Sequence, residues 1–558
     1  MAASAAQHSD MAPARLIRIV DLSQGREGHF LRLMNVSFFE VLPQYVALSY
    51  CWGGDQALKC TRSNRMSLEQ KIPFADLPLT LRDAVRVCRQ AGFDYIWIDA
   101  LCILQDDTDD QAQEIAKMPF IYGSAAFTIA ASRAHSAEEG FLATRSLPPE
   151  AKAFTLKYKD PKDRIGAVTL VQLDIPPEPI DARGWTLQER LLSPRTIEYG
   201  TWQTRYICQE SAYKRDYTDG WRRDADYNHL RKDTLDLKPP LRDDSNEQGS
   251  HRSSEKFSTD FLRDWDQVLR TYTSRQLTKS TDRPLAISGI AERFASILNI
   301  DDVGSCYVAG LWKPYLHLCL MWHIDRDAIA PRPAEFQGPS WSWTSVNGVV
   351  PSSYPSLDRW KPENITLEVL DCAVDLANAR APFGAVRPGS ARLKVRGRLA
   401  PGAWAGTTST GLLDRGKKTV AFFGKNDSES GTVVGMAGMF CDTTELDEEP
   451  AAARASFGVA GGAAGRNTRN AASVMVLEVQ HYTAGASWGC CGLVLRRAEC
   501  EPSDNPFEGS VFRRVGTFEY ATHREGQRTG ESQDEWERRI ETKFSWFKNI
   551  EPREIEIL

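Results

Sequence analysis

The tightest constraint on this chain is an alternation of strand-like and helix-like stretches between residues 45 and 132. Tyr45-Val46-Ala47-Leu48-Ser49-Tyr50 is a compact apolar strand, and it runs straight into Cys51-Trp52-Gly53-Gly54-Asp55, a Gly-Gly turn. Thr80-Leu81-Arg82-Asp83 reads as a capping box with Asp in place of Glu. It opens a helix through Ala84, Val85, Val87, Cys88 and Ala91, closed at Gly92. Phe93 to Asp99 forms a second strand, rich in β-branched and aromatic residues. Thr108 to Gln111 opens a second helix, which Pro119 is expected to bend, and Phe127 to Ser132 is the third strand. Strand, helix, strand, helix, strand calls for a parallel sheet with right-handed crossovers. Ligands of such sheets sit beyond the carboxyl ends of the strands, where the Gly-Gly turn and Asp99 lie.

After Ser132 comes a long excursion, and then Arg183-Gly184-Trp185-Thr186-Leu187-Gln188-Glu189-Arg190-Leu191-Leu192-Ser193-Pro194. Pro194 disfavours helix at Ser193, so about two and a half turns are available. Residues three and four apart share a face, which puts Trp185, Gln188, Glu189 and Leu192 on one side. A carboxylate beside an aromatic wall suits a cationic, ring-shaped ligand. A buried amphipathic helix whose Glu189 pairs with Arg183 or Arg190 accounts for the same residues. Arg195–Gly200 and Gln203–Cys208 follow as strands.

The remainder divides by composition. A chain of 558 residues exceeds one ordinary core. Five segments are expected: an N-terminal segment 1–40, the α/β domain 41–210, a connecting segment 211–256 with a mobile linker from Asp236 to Lys256, a helical region 257–350 and a β-rich region 351–558 closed by a helix near Glu531 to Phe547. The helical region is read as three helices, Phe257–Leu277, Pro284–Leu298 and Tyr307–Ile324. Candidate strands of the last region are Thr366–Val374, Ala391–Arg396, Lys418–Phe423, Ser473–Gln480, Gly492–Arg496 and Arg514–Tyr520, around a low-complexity stretch from Glu448 to Asn470. Hydrophobic content of 42 %, a net charge of -6 and no dense Lys/Arg block describe a globular protein without a nucleic-acid footprint. No apolar run is long enough to span a bilayer, and the polar start is not a secretory signal, so a cytoplasmic location is expected. The 12 cysteines lack zinc or disulfide spacing, and no metal is expected; Asp106 to Asp110 reads as a solvated helix start.

Three stretches together resemble the fungal heterokaryon-incompatibility (HET) domain family: Tyr45 to Gly53, Trp97 to Asp106 and Arg183 to Arg190. Leu77 to Ala84 and Ile121 to Ala125 are similar to it too. The family implies a role in non-self recognition and regulated cell death, and a distant relation to TIR domains. The implied fold is a TIR-like (flavodoxin-like), mainly parallel sheet flanked by helices. Ala47 to Tyr50 is similar to the first TIR strand and its loop, and Trp185 to Glu189 looks like the Trp-x-x-x-Glu segment of NAD-cleaving TIR domains. About fifty residues between Ser132 and Trp185 exceed what a plain TIR domain holds.

What the resemblance implies chemically is a hydrolase that cleaves the nicotinamide–ribose bond of NAD, with NAD as substrate and no cofactor required. Nicotinamide is a cationic leaving group and needs no general acid; a fixed carboxylate stabilises the oxocarbenium-like transition state. Glu189 takes that catalytic role. Ser49, Trp52, Gly53, Asp99, Arg183 and Trp185 surround the nucleotide: Trp52 or Trp185 stacks on a ring, Gly53 lets backbone N–H groups approach phosphate, and Arg183 or Arg190 meets the pyrophosphate. Two other readings fit the residues: a non-catalytic TIR-like module that signals by self-assembly or with a partner protein, and a metabolite-pathway enzyme using the fold on another ligand.

Overall fold

The computed structural model describes residues 17–23, 30–145, 152–159, 161–172, 177–208, 215–217, 254–297, 306–324, 329–350, 361–379, 381–407, 418–424, 432–442, 472–484, 487–498, 511–521, 530–536, 538 and 550–558. The chain divides into two compact units, Met1–Asp236 and Leu237–Leu558.

The first unit is built on β1 (Arg18–Asp21), β2 (Phe30–Asn35), β3 (Val46–Ser49), β4 (Ile72–Pro73), β5 (Tyr95–Trp97), β6 (Phe127–Ala130), β9 (Arg195–Tyr199), β10 (Thr204–Cys208) and β11 (Arg215–Tyr217), which form one nine-stranded sheet. Its helices are α1 (Arg65–Gln70), α2 (Leu79–Gln90), α3 (Asp99–Cys102), α4 (Thr108–Gly123) and α5 (Trp185–Leu192). A separate hairpin, β7 (Lys152–Lys159) with β8 (Ile165–Gln172), occupies the excursion after β6. The sheet order is β11-β10-β9-β6-β3-β5-β1-β2-β4. Its centre, β5-β3-β6-β9, is parallel, and antiparallel strands extend it on both sides. Counted within that centre, the strands run 2-1-3-4, as in doubly wound sheets that bind ligands where the order reverses, beside the carboxyl ends of the first and third strands. These ends are Ser49 and Ala130.

Local chemistry explains most boundaries. Gly92 takes φ +84° directly after α2 and ends it. Asp107 caps α4 by accepting from the Asp109 and Asp110 amides, so the acidic run is a helix start, as expected. Arg62 pairs with Asp107, and Arg18 with Asp110. The expected capping box is corrected. Pro78 precedes α2 without a side-chain cap. Thr80 Oγ1 donates instead to the Ser136 carbonyl, and Asp83 accepts from the Phe141 and Leu142 amides at 2.9 and 3.1 Å. Both side chains anchor the segment after β6.

The second unit opens with α6 (Ser254–Thr273) and α7 (Ser288–Ile297). Phe261 and Trp265 on α6 meet Phe294 and Trp312 edge to face. The third expected helix is corrected: β12 (Tyr307–Val308) and β13 (Leu311–Trp312) form a hairpin, followed by single helical turns through Cys319. Ala309 and Gly310 have φ of +46° and +92°, which a helix does not allow. At Gly310 a Cβ would stand 2.7 Å from the Trp343 indole nitrogen, so only glycine fits.

Nine further strands make a second sheet. They are β14 (Glu368–Ala373), β15 (Arg392–Gly397), β16 (Leu399–Thr407), β17 (Lys418–Gly424), β18 (Thr432–Cys441), β19 (Ala472–Ala484), β20 (Ser487–Arg497), β21 (Val511–Ala521) and β22 (Arg553–Ile557). Because β20 also pairs with β21, strands β16 to β21 close into a six-stranded antiparallel barrel; β22, β15 and β14 continue from β21. Closure removes the exposed edges that a sheet this long would present. Most of the expected linker and the whole low-complexity stretch lie outside the described residues. So does most of the expected C-terminal helix, of which 533–536 and 538 are helical. Among the described residues no helix is long and apolar enough to cross a membrane.

Candidate functional site

The site forms where α5 crosses the carboxyl ends of β3 and β6. Gly184 begins the helix without a side-chain cap. Thr186 Oγ1 ties its first turn back to the Ile180 carbonyl at 2.7 Å. At the other end Ser193 Oγ donates to the Glu189 carbonyl at 2.6 Å and shares a hydrogen with Thr128 Oγ1 of β6, also at 2.6 Å. The helix is therefore fixed at both ends, and α4 packs along it.

Glu189 projects inward from this helix and is 5 % exposed. Its carboxylate accepts a hydrogen bond from Ser49 Oγ, the last residue of β3. The nearby Tyr122 hydroxyl of α4 also favours its charged form. Tyr122 OH lies 3.1 Å from the Leu48 carbonyl, and its ring packs edge-on to Trp97 at 5.7 Å. Burial is the main reason that Glu189 titrates near neutrality, pushed up to about 7. The Ser49 hydrogen bond opposes the rise, Asp99 adds to it, and Arg183 and Tyr122 oppose it.

Asp99 is the second carboxylate. It starts α3, where one oxygen accepts from the Ala100 amide at 2.7 Å and the other from Trp52 Nε1 at 2.8 Å. The Tyr50 hydroxyl favours its charged form, and Gln56 holds that hydroxyl at 2.8 Å. Burial raises Asp99 too, against the pull of Arg183. Two carboxylates thus face one guanidinium. With both ionised the cluster carries an excess negative charge in a place that holds charge poorly, and a proton or a cationic ligand relieves it.

The expected residues sort clearly. Ser49, Trp52, Asp99 and Arg183 converge on Glu189: Ser49 and Glu189 are buried, and Trp52, Asp99 and Arg183 keep partial exposure. Trp185 packs against the domain core. Gly53, at φ +75°, has its α-carbon pressed on the chain after β6: an added Cβ would stand 2.1 Å from Ser136 Cβ, so close packing requires glycine there. Arg190 leaves the cluster, pairing with Asp181 at 3.3 Å and Glu198 at 3.2 Å. Cys102 is fully buried, and burial pushes its thiol up, as befits an apolar filler. Sequence reasoning passed over Tyr50 and Tyr122. Both lie inside the family-like stretches, and a tyrosine hydroxyl in an otherwise apolar run was the available signal. Among the described residues no three His, Cys, Asp or Glu side chains are placed to hold a metal ion.

Residues 45–189 match the family model described as Heterokaryon incompatibility protein (HET). This chain carries a HET domain over those residues. The match starts at the strand carrying Ser49 and ends on Glu189 itself. Heterokaryon incompatibility protein 6, OR allele, of Neurospora crassa is 33 % identical over 95 residues, which cover 15 % of this chain and 13 % of that protein. The similarity to this curated relative is thus confined to about an eighth of its length. No solved structure matches the chain.

Proposed function

We propose that the HET domain cleaves the nicotinamide–ribose bond of NAD, and that this activity serves non-self recognition and regulated cell death. The observation that carries the reading is Glu189: a buried carboxyl titrating near 7, fed by a hydroxyl donor, at the carboxyl end of the first strand of a 2-1-3-4 sheet. That strand order also supports the TIR-like relation. The name of the Neurospora relative supports the incompatibility role.

The chain's residues have distinct tasks in this reaction. The C–N bond electrons leave with the pyridine nitrogen, so nicotinamide departs neutral and positive charge builds on the ribose. Ionised Glu189 stabilises that charge, the Ser49 hydroxyl holds its carboxylate in place and the Tyr122 hydroxyl favours its ionised form. Water then adds to the anomeric carbon and one proton is released; Glu189 is poised to accept it. Trp52, oriented by Asp99, supplies a flat surface for a ring, and Arg183 offers a cation to a phosphate.

The test is nicotinamide release from NAD by the full-length protein beside Glu189→Gln, across a range of protein concentrations. Release by the wild type and its loss in a folded variant supports the reading. Absence of release at every concentration, or equal release by both proteins, counts against it.

A further inference from the structure

The β7–β8 ribbon stands outside both sheets and its strands pair only with each other among the described residues. Every described side chain from Phe154 to Ile165 is exposed. Along β7 the residues alternate strictly: Phe154, Leu156 and Tyr158 are 64 %, 46 % and 52 % exposed, and Thr155, Lys157 and Lys159 lie between them. Successive strand residues point to opposite faces, so one face of β7 is apolar and the other hydroxylic and cationic. Ile165, at the start of β8, is 80 % exposed and pairs with Lys159, so it lies on the cationic face. Between Lys152 and Arg164 the sequence places five cationic residues against two aspartates, in a chain of net charge -6. Large exposed apolar side chains grouped like this mark a surface that something covers.

We propose that this ribbon docks on an anionic lipid surface. Phe154, Leu156 and Tyr158 enter the boundary between headgroups and acyl chains, and the lysines meet the lipid anions. Two observations choose this occupant. The first is charge: a basic ribbon repels a second copy of itself and attracts an acidic surface. The second is area. Eight residues per strand give a face of roughly 27 Å by 10 Å, so two ribbons face to face would bury on the order of 500 Å², well short of the roughly 1,200 Å² of a stable interface. A lipid surface needs no such matched area; a few inserted apolar side chains with electrostatic attraction suffice for reversible binding. The ribbon is only two strands wide, so the flexible lysine stems reach past it to the same surface. Lys159, now paired with Asp163 at 2.9 Å in full solvent, exchanges that partner readily.

The experiment is sedimentation of the full-length protein with phosphatidylcholine vesicles, with and without about one-third phosphatidylserine, at physiological salt. Wild type is expected to bind the anionic vesicles and to be released by high salt. Lys157→Gln/Lys159→Gln weakens binding about thirtyfold. Phe154→Ser/Leu156→Ser/Tyr158→Ser weakens it roughly tenfold or more. All these side chains are exposed, so both variants should keep the wild-type unfolding midpoint, and that is measured alongside. Failure of the wild type to bind, binding that neither variant changes, or equal binding to neutral vesicles overturns the proposal. So does a ribbon-dependent dimer or RNA complex formed without any vesicle binding.

Discussion

Glu189 and Glu198 lie on consecutive elements, α5 and β9, and both are buried, yet they stand at opposite ends of the carboxyl range. Glu189 is raised to about 7; Glu198 is held at about 2. Burial pushes both upward. At Glu198 the guanidiniums of Arg190 and Arg205 overcome it, and Arg205 bonds the carboxylate directly. At Glu189 the neighbours are hydroxyls, a second carboxylate and Arg183. The protein has cations within reach of α5 and directs Arg190 away from Glu189. A carboxyl held by a hydroxyl donor, with a second carboxylate offsetting its one arginine neighbour, is free to change charge during a reaction; one clamped by two arginines is a structural pin.

The sharpest way to break this contrast is to neutralise each residue. Glu189→Gln should lower nicotinamide release by about a thousandfold or more, the scale of losing a preorganised charge stabiliser. Its unfolding free energy should hold or rise at neutral pH, because an ionised, desolvated carboxylate beside Asp99 is removed. Glu198→Ala should instead destabilise the domain by about 3–5 kcal/mol, since Arg205 is left buried without its carboxylate. Urea unfolding of both variants checks the two halves. Comparable stability losses would erase the distinction.

The same contrast gives opposite pH slopes. Glu189 binds its proton more tightly folded, near 7, than unfolded, near 4.5. Its ionisation therefore costs stability: its contribution is intact below about pH 4.5 and lost as pH rises to 7. Relative to Glu189→Gln, the wild type should lose about 3 kcal/mol across that window. Glu198, near 2 when folded and 4.5 when unfolded, acts in reverse: its stabilisation is present above pH 4.5 and lost as pH falls towards 2. Unfolding free energies measured at intervals from pH 3 to 8 should show the two slopes.

What could be read from sequence follows the range of the interactions. The central strands and α5 were legible because apolar runs, Gly92 and Pro194 act locally. Ser49, Trp52, Asp99, Arg183 and Glu189 were legible as a set because they lie in three motifs of one family. The roles of Thr80 and Asp83 were misread because their partners, Ser136, Phe141 and Leu142, are far along the chain. The helix expected over Tyr307–Ile324 failed at Ala309 and Gly310, whose positive-φ backbone the periodicity ignores. Barrel closure was invisible, since it depends on the β20–β21 register and leaves no local mark. Which arginine faces Glu189 was equally hidden: Arg190 is adjacent in sequence, yet helical geometry turns it towards Glu198.

Tyr122 gives the smallest and most discriminating effect. Its one phenolic proton goes to the Leu48 carbonyl at 3.1 Å, and the hydroxyl also favours the ionised form of nearby Glu189. Tyr122→Phe keeps the ring against Trp97 and removes only the hydroxyl. The hydroxyl's loss should cost about 1 kcal/mol of stability. Because Tyr122 helps to hold Glu189 down, its removal should move the acidic limb of nicotinamide release to higher pH and lower the rate near neutrality by roughly tenfold or less. A merely structural Tyr122 would lower stability and leave the pH limb in place. Glu198, held down chiefly by Arg190 and Arg205, should be indifferent to the change, so the acid-side stability slope of the variant should match that of the wild type.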